Sequence, residues 1–355
     1  MALRDRLIAQ IRTGGPMTVA QYMTACLHDP QDGYYATRPA LGEAGDFITA
    51  PLVSQMFGEL IGLWMVETWI ALGRPSPVRL VEMGPGDGAL ISDMRRAQRV
   101  APDFLAASEL WLVEVSGPLR ALQAQALDEP ARWVGALAEV PGGAPLLLVA
   151  NELLDCLPAR QFVRTGGGWA ERMVGLDADG ALAFGLGGSN PLIGGGMEPA
   201  APGQVLEISP AQAALGGEVG ARLAADGGAA LLIDYGRAEP GFGDTLQALR
   251  RHRKESPLAS PGEADLTVHA DFPAVIAAAA GSGAQAAPLL TQGEFLVRLG
   301  IGARAETLTS SRPDRAERIE RQVERLVSPD QMGELFKVVC LCQPGLTPPA
   351  FETLA

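Results

Sequence analysis

The sequence predicts an α/β fold built on an open, mostly parallel sheet. Three observations carry that prediction. First, the apolar run Leu80-Val81 ends in Glu82 and passes through Gly84, Gly86 and Gly88. Leu90, Ile91 and Met94 then follow at one-face helical spacing. Second, residues 145–150 (Pro-Leu-Leu-Leu-Val-Ala) and 229–233 (Ala-Ala-Leu-Leu-Ile) are unbroken apolar runs of strand length, the pattern of strands covered on both faces. Third, each run ends in polar residues, Asn151-Glu152 and Asp234. Open α/β sheets hold their ligands at such carboxyl ends.

Composition bounds the classes. With 355 residues, 47% of them hydrophobic, the chain can bury a large core, as one α/β domain with insertions or a second lobe. No apolar run approaches the ~20 residues that span a bilayer, so no membrane insertion is expected. The first eleven residues resemble a short amphipathic helix, carry Asp5 and lack a small-residue cleavage site, which argues against a targeting peptide. A formal net charge of −13 disfavours nonspecific binding to nucleic acid or to an anionic membrane. The four cysteines, Cys26, Cys156, Cys340 and Cys342, contain no C-x-x-C pair, and the three histidines offer no zinc spacing. Cys340 and Cys342 share one face of an apolar strand and are expected in the core. A reducing, cytoplasmic setting follows.

In chain order, residues 3–11 and 17–27 read as helices separated by Gly14-Gly15-Pro16. A glycine-rich loop over 41–51, with Glu43, Asp46 and Phe47, can close over a site or simply lead into the next helix. That helix is expected over 52–72, with Gly58 and Gly62 leaving a flat face for close packing, and Gly73, Pro75 and Pro77 ending it. After the glycine motif come a strand at 110–114, a helix at 118–127 and a short strand at 132–134. Residues 160–208 change to short, glycine-separated segments, read as a small antiparallel insertion. A helix at 210–225 leads to the strand at 229–234. Residues 237–270 look loop-rich and hold the basic cluster 250–254. Helices at 271–280, 292–299 and 313–327, the last charged and solvated, precede a terminal strand at 336–342. The expected division is 1–75 (helical segment and site loop), 76–159 (ligand-binding half), 160–208 (insertion) and 209–355 (remainder of the core).

The glycine turn narrows the ligand. Gly84-Pro85-Gly86-Asp87-Gly88-Ala89 fits a dinucleotide fingerprint, and the same pattern also serves turns that only pack helix on strand. A pyrophosphate needs the positive end of the helix, yet Asp87 and Glu82 place negative charge there. The arrangement suits a cofactor with ammonium and sulfonium groups, as in S-adenosyl-L-methionine. Glu114, 28 positions after Gly86 at the end of the second strand, is placed to accept hydrogen bonds from two ribose hydroxyls. Asn151, Glu152 and Asp155 stand at the end of the central strand; Asp155 can equally cap a following helix.

Several stretches together resemble the MidA-type class I methyltransferases. They include 45–51 (Gly-Asp-Phe-Ile-Thr-Ala-Pro), 81–88 (Val-Glu-Met-Gly-Pro-Gly-Asp-Gly), 113–116 (Val-Glu-Val-Ser), 151–158 (Asn-Glu-Leu-Leu-Asp-Cys-Leu-Pro), 228–236, 261–267 (Pro-Gly-Glu-Ala-Asp-Leu-Thr), 291–296 and 332–338. They run in order over roughly residues 15–340; the stretch 165–205 does not take part. The resemblance implies a seven-stranded, Rossmann-like class I methyltransferase sheet with an N-terminal helical segment and inserted α/β elements. It implies that Glu82, Gly84, Gly86, Asp87, Gly88, Glu114, Val115 and Asn151 bind S-adenosyl-L-methionine. It also implies methylation of an arginine on a protein, with a subunit of respiratory complex I as the family's known partner, here in a bacterial cytoplasm. An arginine acceptor needs carboxylates that grip its planar fork. Glu152, then Asp46, then Asp234 are the candidates for that catalytic role, with His252 and His269 as possible proton relays or plain loop residues. The competing readings are an assembly chaperone that binds the cofactor without catalysis and a nicotinamide-dependent oxidoreductase.

Overall fold

The computed structural model describes residues 1–37, 49–190 and 200–352. Its main sheet crosses seven strand positions: β1 (Val78–Met83), β2 (Ser108–Val113), β3 (Arg132–Val134), β4 (Leu146–Asn151), β5 (Gly228–Arg237), β6 (Gln285–Ala286) and β7 (Phe336–Cys342). Their spatial order is β6-β7-β5-β4-β1-β2-β3. Strands β1 to β5 run parallel, whereas β7 is antiparallel to β5 and β6 antiparallel to β7. Two-residue strands at Ala270–Asp271 and Leu290–Thr291 add to β5 and β7. Chain order reverses at β1, which lies between β2 and β4. A crevice opens at such a switch point.

Both faces of the sheet are covered at its centre, which is why the central strands carry unbroken apolar runs. Leu147 and Val149 belong to one core with the helices Gln55–Ala71 and Ala89–Gln98. Leu146 and Leu148 belong to a second core with Pro210–Asp226 and Phe272–Gly281. The period of two sends alternate residues to opposite layers. Cys340 and Cys342 lie fully buried in the first core. Gly58 and Gly62 supply the expected flat face. A Cβ at Gly62 would sit 2.6 Å from the Met94 carbonyl oxygen, so only a hydrogen lets the two helices meet.

The expected helix over 52–72 is broken. A short helix, Ala50–Val53, ends at Ser54, whose extended backbone (φ −159°, ψ 137°) turns the chain. The Ser54 hydroxyl then accepts the Met56 N–H at 3.3 Å and caps the next helix. The first 75 residues divide between two cores. Helices Leu3–Gly14 and Val19–His28 join a third apolar cluster with Val174, Ala248, Leu258 and Leu266. Strand Met17–Thr18 pairs with Gly168–Leu176. The insertion is antiparallel as expected, but this N-terminal strand is part of its sheet.

Two parts escaped the sequence pattern. The stretch 237–270 contains a three-stranded antiparallel sheet, Gln247–Arg250, Arg253–Glu255 and Asp265–Thr267, with Arg251 and His252 in its left-handed turn. Helix Ile301–Ser311 has only Ile301 fully buried, with Ala305 and Leu308 packed part-buried against the first core. Charge adds to this packing: Arg304 donates to both oxygens of buried Glu59, at 2.8 and 3.1 Å.

Candidate active site

At the carboxyl ends of β1, β2 and β4 lies a cleft of about 350 Å³. Its floor is the glycine turn. Gly84, Gly86 and Gly88 have φ of +66°, +57° and +88°, a region costly to residues bearing a Cβ. A Cβ at Gly88 would also come within 3.2 Å of the Gln123 Cα. Asp87 turns its Oδ1 onto the Ala89 N–H at 3.0 Å and occupies the start of the helix, where a phosphate would have to bind.

Four polar side chains rise from the strand ends. Glu82 is 2% exposed, and its buried Oε2 accepts no hydrogen bond. Burial, then the nearby Asp87, raises its pKa to about 8. Glu114 accepts the Ser116 N–H on Oε1 at 2.7 Å and the Gln123 amide on Oε2 at 3.2 Å. Burial pushes its pKa up while those bonds pull it down. Asn151 donates to Glu152 Oε1 at 3.1 Å, and its own buried Oδ1 has no partner. Glu152 also receives the Ala50 N–H at 3.2 Å, and burial followed by Asp155 raises its pKa to about 7. Its φ of +52° is unusual for a residue with a side chain. Such strain is characteristic of functional positions. Exposed Val115 lines the mouth.

Asp234 is placed otherwise than expected. It is fully buried and does not line the cleft. Its Oδ2 accepts the N–H groups of Leu154 and Asp155, at 2.8 and 3.1 Å, and its Oδ1 accepts that of Tyr235 at 2.8 Å. Asp234 thus holds the turn that presents Glu152 and Asp155. The structure moves it from the cleft to a supporting place: β5 runs on to Arg237, so Asp234 lies inside the strand and its carboxylate meets the backbone of 154–155. Asp46 and most of the 41–51 loop lie outside the described residues, but Thr49, Pro51 and Leu52 line the cleft. No helix follows Asp155 directly; it faces the cleft instead. His252 is exposed, His269 packs edge-on against Tyr235, and neither lines the cleft.

The far wall was not anticipated. It consists of His28, Tyr35, Cys156 and Asp265. The Tyr35 hydroxyl donates to Asp265 Oδ1 at 2.9 Å, and the His28 ring stacks on Tyr35 with centroids 6.1 Å apart. Burial lowers the His28 pKa, which keeps the ring neutral. The signal for Asp265 lay in the 261–267 stretch; nothing local marked His28 or Tyr35. Among the described residues the lining holds six carboxylates and no lysine or arginine.

Two orphaned buried acceptors, on Glu82 and Asn151, suit an ammonium group. The glycine turn leaves room for close backbone approach. The comparisons point the same way. Residues 60–289 match a family model described as "Putative S-adenosyl-L-methionine-dependent methyltransferase". The chain belongs to this methyltransferase family. It is 33% identical to "Protein arginine methyltransferase NDUFAF7, mitochondrial" of Xenopus tropicalis, covering 95% of this chain and 84% of that protein. The Homo sapiens protein of the same name is 34% identical over 94% of this chain and 82% of its own length. The crystal structure of a superfamily member from Burkholderia thailandensis, bound to S-adenosyl-homocysteine, superposes with a TM-score of 0.83. The two are 29% identical, over 99% of this chain and 92% of that one. The fold is therefore that of a class I methyltransferase, the cofactor is S-adenosyl-L-methionine, and the nicotinamide reading falls away. In this methyltransferase Asp87 at the helix start and the orphaned acceptors are compatible with a cationic cofactor.

Proposed function

We propose that this methyltransferase methylates an arginine side chain of a protein. One observation carries the reading: beyond Glu82, Asp87 and Glu114, which are given to the cofactor, the described lining still presents three carboxylates, Glu152, Asp155 and Asp265, and no lysine or arginine, a lining for a cationic acceptor. The relatives named as protein arginine methyltransferases support it. Within the cleft, Glu82, Gly84, Gly86, Asp87, Gly88, Glu114, Val115 and Asn151 would hold the cofactor. Glu114 would take the ribose hydroxyls, and Glu82 with Asn151 the ammonium.

When bound, S-adenosylmethionine supplies an electrophilic methyl carbon on a sulfonium centre. The chain's own residues align and neutralise the acceptor. Glu152 holds one edge of the guanidinium, with its carboxylate fixed by the Ala50 and Asn151 N–H groups. Asp155 and Asp265 supply further negative charge, and Tyr35 orients Asp265. Methylation of a guanidinium nitrogen releases one proton. Glu152, with its pKa near 7, is matched to accept it at the carboxylate. A subunit of respiratory complex I is the acceptor implied by the resemblance to MidA-type proteins. A reducing bacterial cytoplasm is the proposed setting, in keeping with four free, buried cysteines.

The test is labelled-methyl transfer into a lysate of cells lacking the protein, followed by mass spectrometry of the labelled residue. Label on arginine that disappears with Glu152→Gln supports the reading. Label on another residue type, or none despite cofactor binding, refutes it; the second result would favour the chaperone alternative.

A further inference from the structure

Gln123 lies on the second turn of helix Gly117–Ala126, away from every stretch that carried the resemblance, and is completely buried. Its amide makes three hydrogen bonds. Nε2 donates to the Gly86 carbonyl at 2.9 Å and to Glu114 Oε2 at 3.2 Å, while Oε1 accepts the Trp133 indole N–H at 2.8 Å. An indole nitrogen can only donate. The amide oxygen must therefore face Trp133, and the NH₂ must face Gly86 and Glu114. The orientation of the amide is decided by chemistry.

Two consequences follow. The Gly86 carbonyl is drawn toward the helix, so in a planar trans peptide the following N–H, that of Asp87, points the other way. Glu114 is fixed at both oxygens, by Gln123 on one and the Ser116 N–H on the other. The Val115 N–H is a third donor to this carboxylate. Its two oxygens accept about four hydrogen bonds in all, which leaves about one direction, enough for a ribose hydroxyl. Helix and glycine turn are also in contact at this point, since a Cβ at Gly88 would meet the Gln123 Cα at 3.2 Å.

We infer that Gln123 is a positioning residue that sets the glycine turn and the ribose-binding carboxylate of Glu114 as one unit, with Trp133 locking its amide. This rests on the proposed role of Glu114 toward the ribose. Gln123 itself touches no reacting atom. It acts through Gly86 and Glu114, and couples the two parts of the cofactor site that lie on different strands.

Calorimetric titration of the full chain with S-adenosylhomocysteine and with its 2′-deoxyribose analogue tests the inference. Losing a hydrogen bond to a charged group weakens binding by about tenfold or more. In the unaltered protein the deoxy analogue should bind about tenfold more weakly than the parent ligand. In Gln123→Met the parent ligand should weaken by about tenfold, and the difference between the two ligands should shrink to about threefold or less, because a loose carboxylate no longer reads the hydroxyl. Trp133→Phe, at a half-buried position, should produce the same narrowing in milder form and serves if Gln123→Met does not fold. Wild-type affinity in both variants overturns the inference. So does a ligand difference that stays at its wild-type value in them. If the unaltered protein binds both ligands equally, the ribose role of Glu114 fails instead, and the inference falls with it.

Discussion

Glu152 concentrates the chemistry of the cleft in one residue. It has a left-handed backbone, a strand-end position, two N–H donors on one oxygen and a raised pKa. The folded-state pKa, about 7, exceeds the unfolded carboxylate value, so the folded form binds the proton more tightly. The stability this adds is complete below about pH 4 and is lost as pH rises through 7. Glu152→Gln should therefore be more stable than the unaltered protein at pH 8, by on the order of 1 kcal/mol, and the gain should vanish near pH 4.5. Denaturant melts at the two pH values check this. Methyl transfer should behave oppositely. If the ionised form grips the acceptor, kcat/KM rises with pH through about 7, and no such step remains in the Gln variant. At Glu82 the ionised form is the one that meets an ammonium. Affinity for S-adenosylhomocysteine should accordingly rise as pH approaches 8, and Glu82→Gln should flatten that rise, as read by calorimetry.

Among the elements, the packing of helix Gln55–Ala71 on Ala89–Gln98 is the contact that carries the glycine turn, because the second helix starts at Gly88. Gly62 meets the Met94 backbone with no room for a methyl group. Gly62→Ala should cost about 1–3 kcal/mol through overpacking and lower the melting temperature by several degrees. Gly73, with nothing near its Cβ position, is a control for space but not for backbone, since its φ is +84°. Periodicity revealed the long helix and its flat face, because both depend on local spacing. It did not reveal the break at Ser54, where a cap overrode an apolar run. Nor did it reveal helix Ile301–Ser311, whose short apolar face, Ile301, Ala305 and Leu308, is supplemented by the Arg304–Glu59 pair. Partners 245 positions apart leave no local pattern.

At the scale of the molecule, the cleft is closed by two layers of different origin. The main sheet supplies the wall of Glu82, Glu114 and Asn151. The N-terminal helices, the insertion and the small sheet at 247–267 share a core and supply His28, Tyr35 and Asp265. Cofactor binding should stabilise the whole chain by mass action. At a hundredfold excess over Kd, S-adenosylhomocysteine should add about 2.7 kcal/mol, seen as a rise in melting temperature, while NAD at equal concentration should give none. An equal shift with NAD would contradict a site built against phosphate.

The strand, glycine turn and helix that floor the cleft were legible in the sequence because their logic is local. A strand, three glycines and a helix follow one another within eleven residues, and the acids sit where buried strands end. The same rule misplaced Asp234, since β5 runs on to Arg237 and leaves this acid inside the strand, where its carboxylate meets the 154–155 backbone rather than the crevice. The far wall was decided by tertiary structure alone. His28, Tyr35 and Asp265 come from segments more than 200 positions apart, and Gln123 acquires its role from partners 37, 9 and 10 positions away on three different elements. Local spacing specifies strands, turns and helices. Which polar groups then face one another follows from how those elements pack, and packing depends on contacts that no stretch of the chain contains by itself.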